Sequence, residues 1–106
     1  MSYISYYRPF RYWGKAGLEI KSGRKRVTVT VPRAWQDRLS VVWGDVSGAE
    51  GVSSVQFPNC TFDPGIPWKA YAGGFFARER MCAPLIVRVA GRERWVLVAL
   101  GRSCPR

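Results

Sequence analysis

Histidine is absent from the 106 residues, and only seven side chains carry a carboxylate. Without an imidazole, the chain can form no Ser-His-Asp triad and no Cys-His pair. It also has no histidine to bind a metal ion. No two carboxylates lie two to four residues apart: Glu19, Asp37, Asp45, Glu50, Asp63, Glu79 and Glu93. The fold can still bring distant carboxylates together, but no local acid/base motif exists. We therefore predict that the chain is not an enzyme, with no catalytic residue, metal, cofactor or small-molecule substrate; a small hydrolase is the least favoured hypothesis.

The sequence also lacks an apolar run of about 18 residues, the length that a membrane-spanning helix needs. Residues 1–14 are aromatic and basic, and Arg8 and Arg11 interrupt their apolar residues, unlike the core of a signal peptide. If the protein is exported, we expect its targeting segment to lie outside these residues. The sequence predicts a single β-sandwich domain over 15–106. It leaves open whether the N-terminal segment is a core strand, an interface or a tail, and leaves the oligomeric state undetermined.

The composition is nevertheless that of a folded chain. Apolar residues make up 47% and aromatic residues 14%, which suffices for a packed core despite a net charge of +10. The length suits one domain. The cationic excess predicts a partner of opposite charge: a protein, an anionic polymer or a lipid head group, with nucleic acid as an alternative.

Short alternating segments predict strands rather than helices. Residues 26–31 are typical, with Val27, Val29 and Val31 on one side of the strand. Pro32 precedes the best helical candidate, a single turn over 34–39. The seven predicted strands are 17–21, 26–31, 39–43, 52–57, 74–78, 85–90 and 94–100. Such strands, without helices between them, favour an all-β fold: an antiparallel β-sandwich or partly open barrel, Ig-like in architecture.

The segment WKAYAGGFFARERMCAPLIVRV, residues 68–89, raises a specific question about function. The positions of glycine and proline predict a long loop over 58–73. A strand should follow, whose two adjacent phenylalanines point to opposite faces. Pro84 marks the start or the edge of the next strand, because proline cannot donate to a ladder. Two roles remain open for this segment. It is either architectural, or it forms a ligand groove in which Trp68, Tyr71 and Phe76 lie beside Arg78 and Arg80.

The three cysteines, Cys60, Cys82 and Cys104, form no CxxC pair, which argues against a zinc site or a redox motif. A hairpin turn centred near Arg92 brings Cys82 and Cys104 to the same end of their two strands. We therefore predict a disulfide between them. A bond from Cys60 to either of the others, or three reduced cysteines, remain as alternatives. A disulfide would indicate an oxidising compartment.

Basic residues provide the candidate contact for an anionic partner. Four lie on a predicted turn, and two lie after the double glycine: Lys21, Arg24, Lys25, Arg26, Arg78 and Arg80. The alternative is a solvated surface whose charges keep strand edges apart. The first functional hypothesis is a non-enzymatic extracytoplasmic module that binds a protein or an anionic envelope component. The second is a small basic barrel whose aromatic side chains stack on single-stranded nucleic acid.

Several sequence motifs together cover most of residues 27–104. They are VTVTVPRAWQDRLSVVWG, SVQFPNC, VALGRSC and the 68–89 segment. In these motifs the chain resembles a group of small actinobacterial proteins without an assigned activity. In that group a membrane anchor precedes one extracytoplasmic β-rich domain with three cysteines. The resemblance implies export and oxidised cysteines, but no activity. No hydrophobic anchor precedes Tyr3 in this sequence.

Overall fold

The computed structural model describes residues 1–21, 26–44, 51–57 and 68–105. This part of the chain is all-β, with ten strands and one 3₁₀ turn at Arg33–Trp35. The strands are β1 (Ser2–Tyr3), β2 (Tyr12–Lys15), β3 (Leu18–Lys21), β4 (Val27–Thr30), β5 (Leu39–Trp43), β6 (Ser54–Phe57), β7 (Trp68–Tyr71), β8 (Gly73–Ala77), β9 (Met81–Val89) and β10 (Arg92–Leu100).

Two four-stranded antiparallel sheets form a sandwich. Sheet one has the order β1-β2-β8-β5, and sheet two has the order β10-β9-β4-β6. A third, two-stranded sheet pairs β3 with β7. The sheets do not close into a barrel, so the predicted β-sandwich is confirmed.

The main core lies between the two large sheets because alternate residues of their strands point inward. Trp43 of β5 lies edge-on to Phe75 of β8, with ring centroids 5.4 Å apart. The Trp43 indole N–H donates to the Ala16 carbonyl at 3.0 Å, so this polar group is satisfied. The buried residues of this core are Val29, Val31, Leu39, Val41, Trp43, Val55, Phe57, Phe75, Ala77, Met81, Ala83, Leu85 and Leu100.

The N-terminal segment belongs to the sandwich. β2 pairs with β8 from Tyr12↔Ala77 to Lys15↔Gly74, which makes β8 a central strand. Behind sheet one, this segment builds a second apolar cluster from Ile4, Phe10 and Phe76. The outer face of β8 is therefore covered by residues 4–13.

Several predicted strands are observed with small shifts in their ends, and β5 has the predicted bounds. The predicted loop over 58–73 was wrong in its last part, since β7 occupies Trp68–Tyr71; residues 58–67 lie outside the described residues. This strand is mostly exposed and has no alternating apolar pattern, so only its pairing with β3 reveals it. The predicted helical turn is shorter than expected and begins at Arg33.

The double glycine allows close approach of strands. A Cβ on Gly73 would collide with the Val42 carbonyl oxygen, and a Cβ on Gly74 would collide with the Gly14 carbonyl oxygen. Glycine is required at both positions because the backbones of β5 and β2 occupy the space of a side chain. Phe75 then points into the main core and Phe76 into the second cluster, as the alternation predicted.

The β9–β10 hairpin differs in detail from the prediction. Its turn is Ala90-Gly91, both with positive φ, rather than a turn centred near Arg92. Pro84 lies inside β9 and not at its start, but on a part of the strand that β4 does not pair, which agrees with the predicted edge position. Proline is tolerated there because β4 pairs with β9 only over residues 86–89, so no described strand needs a donor from residue 84.

A disulfide joins Cys82 to Cys104, with their Cα atoms 4.9 Å apart. Cys82 lies opposite Ala99 near the open end of the hairpin, and the chain after β10 folds back to reach it. The bond therefore fastens the C-terminal residues to sheet two. Such a bond is compatible with an oxidising compartment. Cys60 lies outside the described residues.

Candidate functional site: an arginine-lined end of the sandwich

The predicted cationic contacts do not form one site. Lys21 and Arg26 are exposed at the end of β3 and just before β4, on either side of residues 22–25. Arg24 and Lys25 lie outside the described residues. Arg78 and Arg80 follow β8 and precede β9, whereas Val27 pairs with Val89 at the other end of β9. The structure thus places Arg26 and Arg80 near opposite ends of the molecule.

The structure does not form the predicted aromatic groove. Phe76 is only 6% exposed and packs in the second cluster, against the ring of Trp13 at 4.8 Å. Tyr71 packs on the inner side of the fold against Phe57, with ring centroids 4.6 Å apart. Trp68 is exposed on β7. Of the two roles left open for this segment, the burial of Phe76 by the N-terminal segment agrees with the architectural one, and the local sequence did not reveal this contact.

Arg78 instead lines a concavity with two arginines of the N-terminal segment. This first cleft, with a volume of about 430 Å³, is lined by Tyr3, Ile4, Ser5, Arg8, Pro9, Phe10, Arg11 and Arg78. None of these described lining residues is acidic. The first cleft is therefore a concave surface whose ionised side chains are all cations.

The strand register explains how Arg11 and Arg78 meet. The β2–β8 ladder ends at Tyr12↔Ala77, so Arg11, which precedes β2, and Arg78, which follows β8, lie at the same end of the ladder. The Arg11 amide donates to the Ala77 carbonyl at 3.0 Å, one residue out of the register of the ladder, and this bond holds Arg11 beside the end of β8.

A second cleft, of about 560 Å³, lies on the other side of the β8–β9 connection. Its ionised lining residues are Arg38, Glu79, Arg80 and Arg102. The Arg38 Nε donates to Glu79 Oε1 at 2.8 Å, and the two side chains form an exposed salt bridge. The Arg38 guanidinium also lies 4.2 Å from the Trp35 ring centroid. Because Glu79 neutralises one cation, the second cleft is less electropositive than the first.

Together the two clefts define an arginine end of the sandwich, formed by Arg8, Arg11, Arg38, Arg78, Arg80 and Arg102. The disulfide lies at the same end, since Cys82 and Cys104 line the second cleft. Because the disulfide fastens the chain after β10 to sheet two, Arg102 also lies at the arginine end. The covalent bond thus contributes to the arrangement of the cations.

Tyrosines flank the arginine end. Tyr3 is 70% exposed and lies edge-on to Tyr12, with ring centroids 6.1 Å apart. The Arg80 guanidinium lies 5.7 Å from the centroid of the Tyr12 ring. A planar group beside Tyr3 would find both an aromatic face and nearby positive charge.

Four members of the arginine end, Arg8, Arg11, Arg38 and Arg102, were not among the predicted contacts. The sequence does show Arg8 and Arg11 in a basic N-terminal cluster, but no local signal indicates that this cluster packs beside Arg78. Only the pairing of β2 with β8 brings them together.

No protein-family model, curated protein or solved structure matches the chain. Within the described ranges, no helix is long and apolar enough to cross a membrane. The same part of the chain contains no group of three or more acidic or cysteine side chains arranged to hold a metal ion.

Proposed function

We propose that the protein is a non-enzymatic binding module that works outside the cytoplasm and contacts an anionic partner through the arginine end. The partner is an acidic segment of a protein or an anionic component of the cell envelope. One observation carries the proposal: Arg8, Arg11 and Arg78 line a single cleft with no carboxylate among its described lining residues. Guanidinium groups form paired hydrogen bonds with carboxylate and phosphate, so such a cleft suits either group.

The disulfide supports the extracytoplasmic part of the proposal. Disulfides persist in oxidising compartments and are rare in reducing ones. The resemblance noted from the sequence agrees with this compartment. Fractionation of cells, with the redox state of Cys82 and Cys104 trapped by alkylation at lysis, tests it directly. Recovery of reduced cysteines from the cytoplasmic fraction would contradict it.

Binding to model polyanions tests the site. Polyphosphate and poly-glutamate are titrated into the protein by calorimetry at about 50 mM and about 200 mM salt. The double variant Arg11→Gln/Arg78→Gln should weaken binding about tenfold, because it removes two of the three cations of the first cleft. The matched control, Arg92→Gln/Arg94→Gln, makes the same change in net charge at the hairpin end and should bind as the unmodified chain does. Equal losses in the two variants would mean that net charge alone drives binding.

A second candidate function is binding of single-stranded nucleic acid, favoured by the exposure of Tyr3 beside the first cleft. Bases stack on exposed aromatic rings, and this contribution is less sensitive to salt than contacts to phosphate. Tyr6, in the same segment, is also exposed, whereas the two exposed tryptophans, Trp68 and Trp95, lie on different sheets and do not extend this pair into a row. Oligonucleotide binding that survives about 200 mM salt and is lost in Tyr3→Ala would favour this second function.

A further inference from the structure

Sheet two ends in an unusually regular edge strand. β10 spans nine residues, and its register with β9 runs without interruption from Arg92↔Val89 to Leu100↔Met81. It contains neither a bulge nor a proline, and within the described residues β9 is its only partner strand. Proteins usually protect an edge of this kind, because its unpaired backbone groups are a template for another strand.

The turn of the hairpin determines which backbone groups are unpaired. Ala90 and Gly91 have φ values of 51° and 77°, the positive values of a type I′ turn. In such a turn the closing pair, Val89 and Arg92, exchanges hydrogen bonds, and alternate residues of β10 then point towards β9. Glu93, Trp95, Leu97 and Ala99 therefore direct their N–H and C=O groups away from β9.

The side chains along β10 are distributed unevenly. Its three charges are its first three residues, Arg92, Glu93 and Arg94, and the segment 95–100 has none. Trp95 is 57% exposed and Leu97 is 56% exposed, both on the outer face of sheet two. The uncharged half of the edge thus presents two large apolar side chains to solvent.

We propose that β10 pairs antiparallel with β10 of a second copy of this chain, about a two-fold axis at Val96. In this register each Trp95 lies opposite Leu97 of the second copy, and each Glu93 lies opposite Ala99. The outward-pointing N–H and C=O groups of all four residues then form hydrogen bonds with the second copy. A register centred on Trp95 or Leu97 would leave some of these backbone groups unpaired. The result is a continuous eight-stranded sheet whose outer face buries Trp95 and Leu97 against each other.

The charges of β10 are compatible with this pairing. An antiparallel arrangement sets the charged half of each strand against the uncharged half of the other, so no like charges lie directly opposite. A parallel arrangement would set Arg92 against Arg92. Each chain carries a net charge of +10, so the copies repel at long range and added salt strengthens the dimer. The pairing uses no residue that lines the first cleft, and it does not depend on the proposed function.

Disulfide trapping tests the register. Val96→Cys, in a chain that also carries Cys60→Ser, sets two thiols in a non-hydrogen-bonded pair with Cα atoms about 4.5 Å apart, within disulfide range. Mild oxidation should convert most of the protein to a covalent dimer. The matched control is Val98→Cys in the same background. Val98 lies opposite Arg94 of the second copy, so the two new thiols are about 13 Å apart along the ladder and should not react.

Sedimentation equilibrium tests the association itself, from about 1 µM to about 1 mM protein. The unmodified chain should dimerise within this range, and Leu97→Lys should raise the dissociation constant about tenfold or more. Gln56→Lys adds the same charge to an exposed position on the opposite edge strand, β6, and should leave the constant unchanged. A monomer throughout the range, a dimer insensitive to Leu97→Lys, or trapping of Val98→Cys as readily as Val96→Cys would overturn the proposal.

Discussion

Gly74 and Gly14 lie against each other across the β2–β8 ladder, so closely that a Cβ on residue 74 would overlap the Gly14 carbonyl oxygen. Gly74→Ala should therefore lower the free energy of unfolding by about 3 kcal/mol, because the obstructing atoms are backbone and sheet one must shift. Urea denaturation followed by circular dichroism measures the change.

Gly17→Ala is the matched control for this substitution. The nearest atom to a Cβ on residue 17 is the Tyr71 carbonyl oxygen at 3.9 Å, an ordinary contact. This variant should be neutral or more stable by about 0.5 kcal/mol, since alanine restricts the unfolded chain. Equal losses in Gly74→Ala and Gly17→Ala would show that β2 does not approach β8 in this way.

The Cys82–Cys104 bond should make a measurable contribution to stability. The cysteines are 22 residues apart, and the chain-entropy model assigns a loop of this size about 3 kcal/mol. Chemical denaturation with and without reductant should show a loss of this order. By mass spectrometry, reduction should add the mass of two hydrogen atoms. Cys60→Ser should retain this mass gap and Cys104→Ser should abolish it; the reverse pattern would assign the bond to Cys60.

Deletion of residues 1–13 should unfold the protein or make it insoluble. It removes β1 and half of β2, and it uncovers Phe76, which is 6% exposed in the intact fold. Loss of the near-ultraviolet circular dichroism signal is the readout. A soluble, cooperatively folding product would show that this segment is dispensable for the sandwich.

Two point substitutions test whether the side chains of the N-terminal segment, and not only its presence in the chain, stabilise the fold. Phe10→Ala should cost about 3 kcal/mol, because Phe10 is buried in the second cluster. Tyr6→Ala, in the same segment, should cost less than about 0.5 kcal/mol, because Tyr6 is 75% exposed. Thermal unfolding of the two variants side by side measures the difference, and similar losses would be inconsistent with a core role for Phe10.

Glu79 should weaken anion binding at the arginine end, since it pairs with Arg38 in the second cleft. Glu79→Gln should increase polyanion affinity about threefold, by removing a negative charge close to several arginines. The effect on stability should be below about 1 kcal/mol, because the salt bridge is exposed.

Glu93→Gln provides the matched control for Glu79→Gln. Glu93 accepts from the Arg88 Nε at 2.9 Å in another exposed pair, at the hairpin end of β9. This variant makes the same change in net charge but should leave polyanion affinity unchanged. An equal rise in both variants would indicate a diffuse charge effect and not a site at the arginine end.

The sequence predicted what depends on alternation and on local turns. The residues of β4, β5, β6, β8, β9 and β10 carry apolar periodicity or flanking glycine and proline, and all are strands. The hairpin likewise indicated the cysteine pair, since two strands joined by a tight turn bring residues at similar distances from the turn together. These features are encoded within a few residues of one another.

The sequence did not predict β7 or the place of residues 1–14. β7 is mostly exposed and is held by β3, and β2 is held by β8, so neither strand has a periodic apolar pattern of its own to detect. Local sequence also left open an aromatic groove at Phe76, for the same reason. Phe76 is buried by a segment more than 60 positions earlier in the chain, and local spacing carries no information about such a contact.

The amino-acid sequence by itself determined the class of fold, the excess of positive charge and the lack of imidazole chemistry, because these follow from composition and from patterns of period two. Tertiary structure alone decided which cations share a surface. Arg8 and Arg11 meet Arg78 only through the register of β2 with β8, and Arg102 is placed by the disulfide that fastens the end of the chain. The net charge follows from the residues themselves, whereas a shared binding surface requires the pairing of strands that are far apart in the sequence.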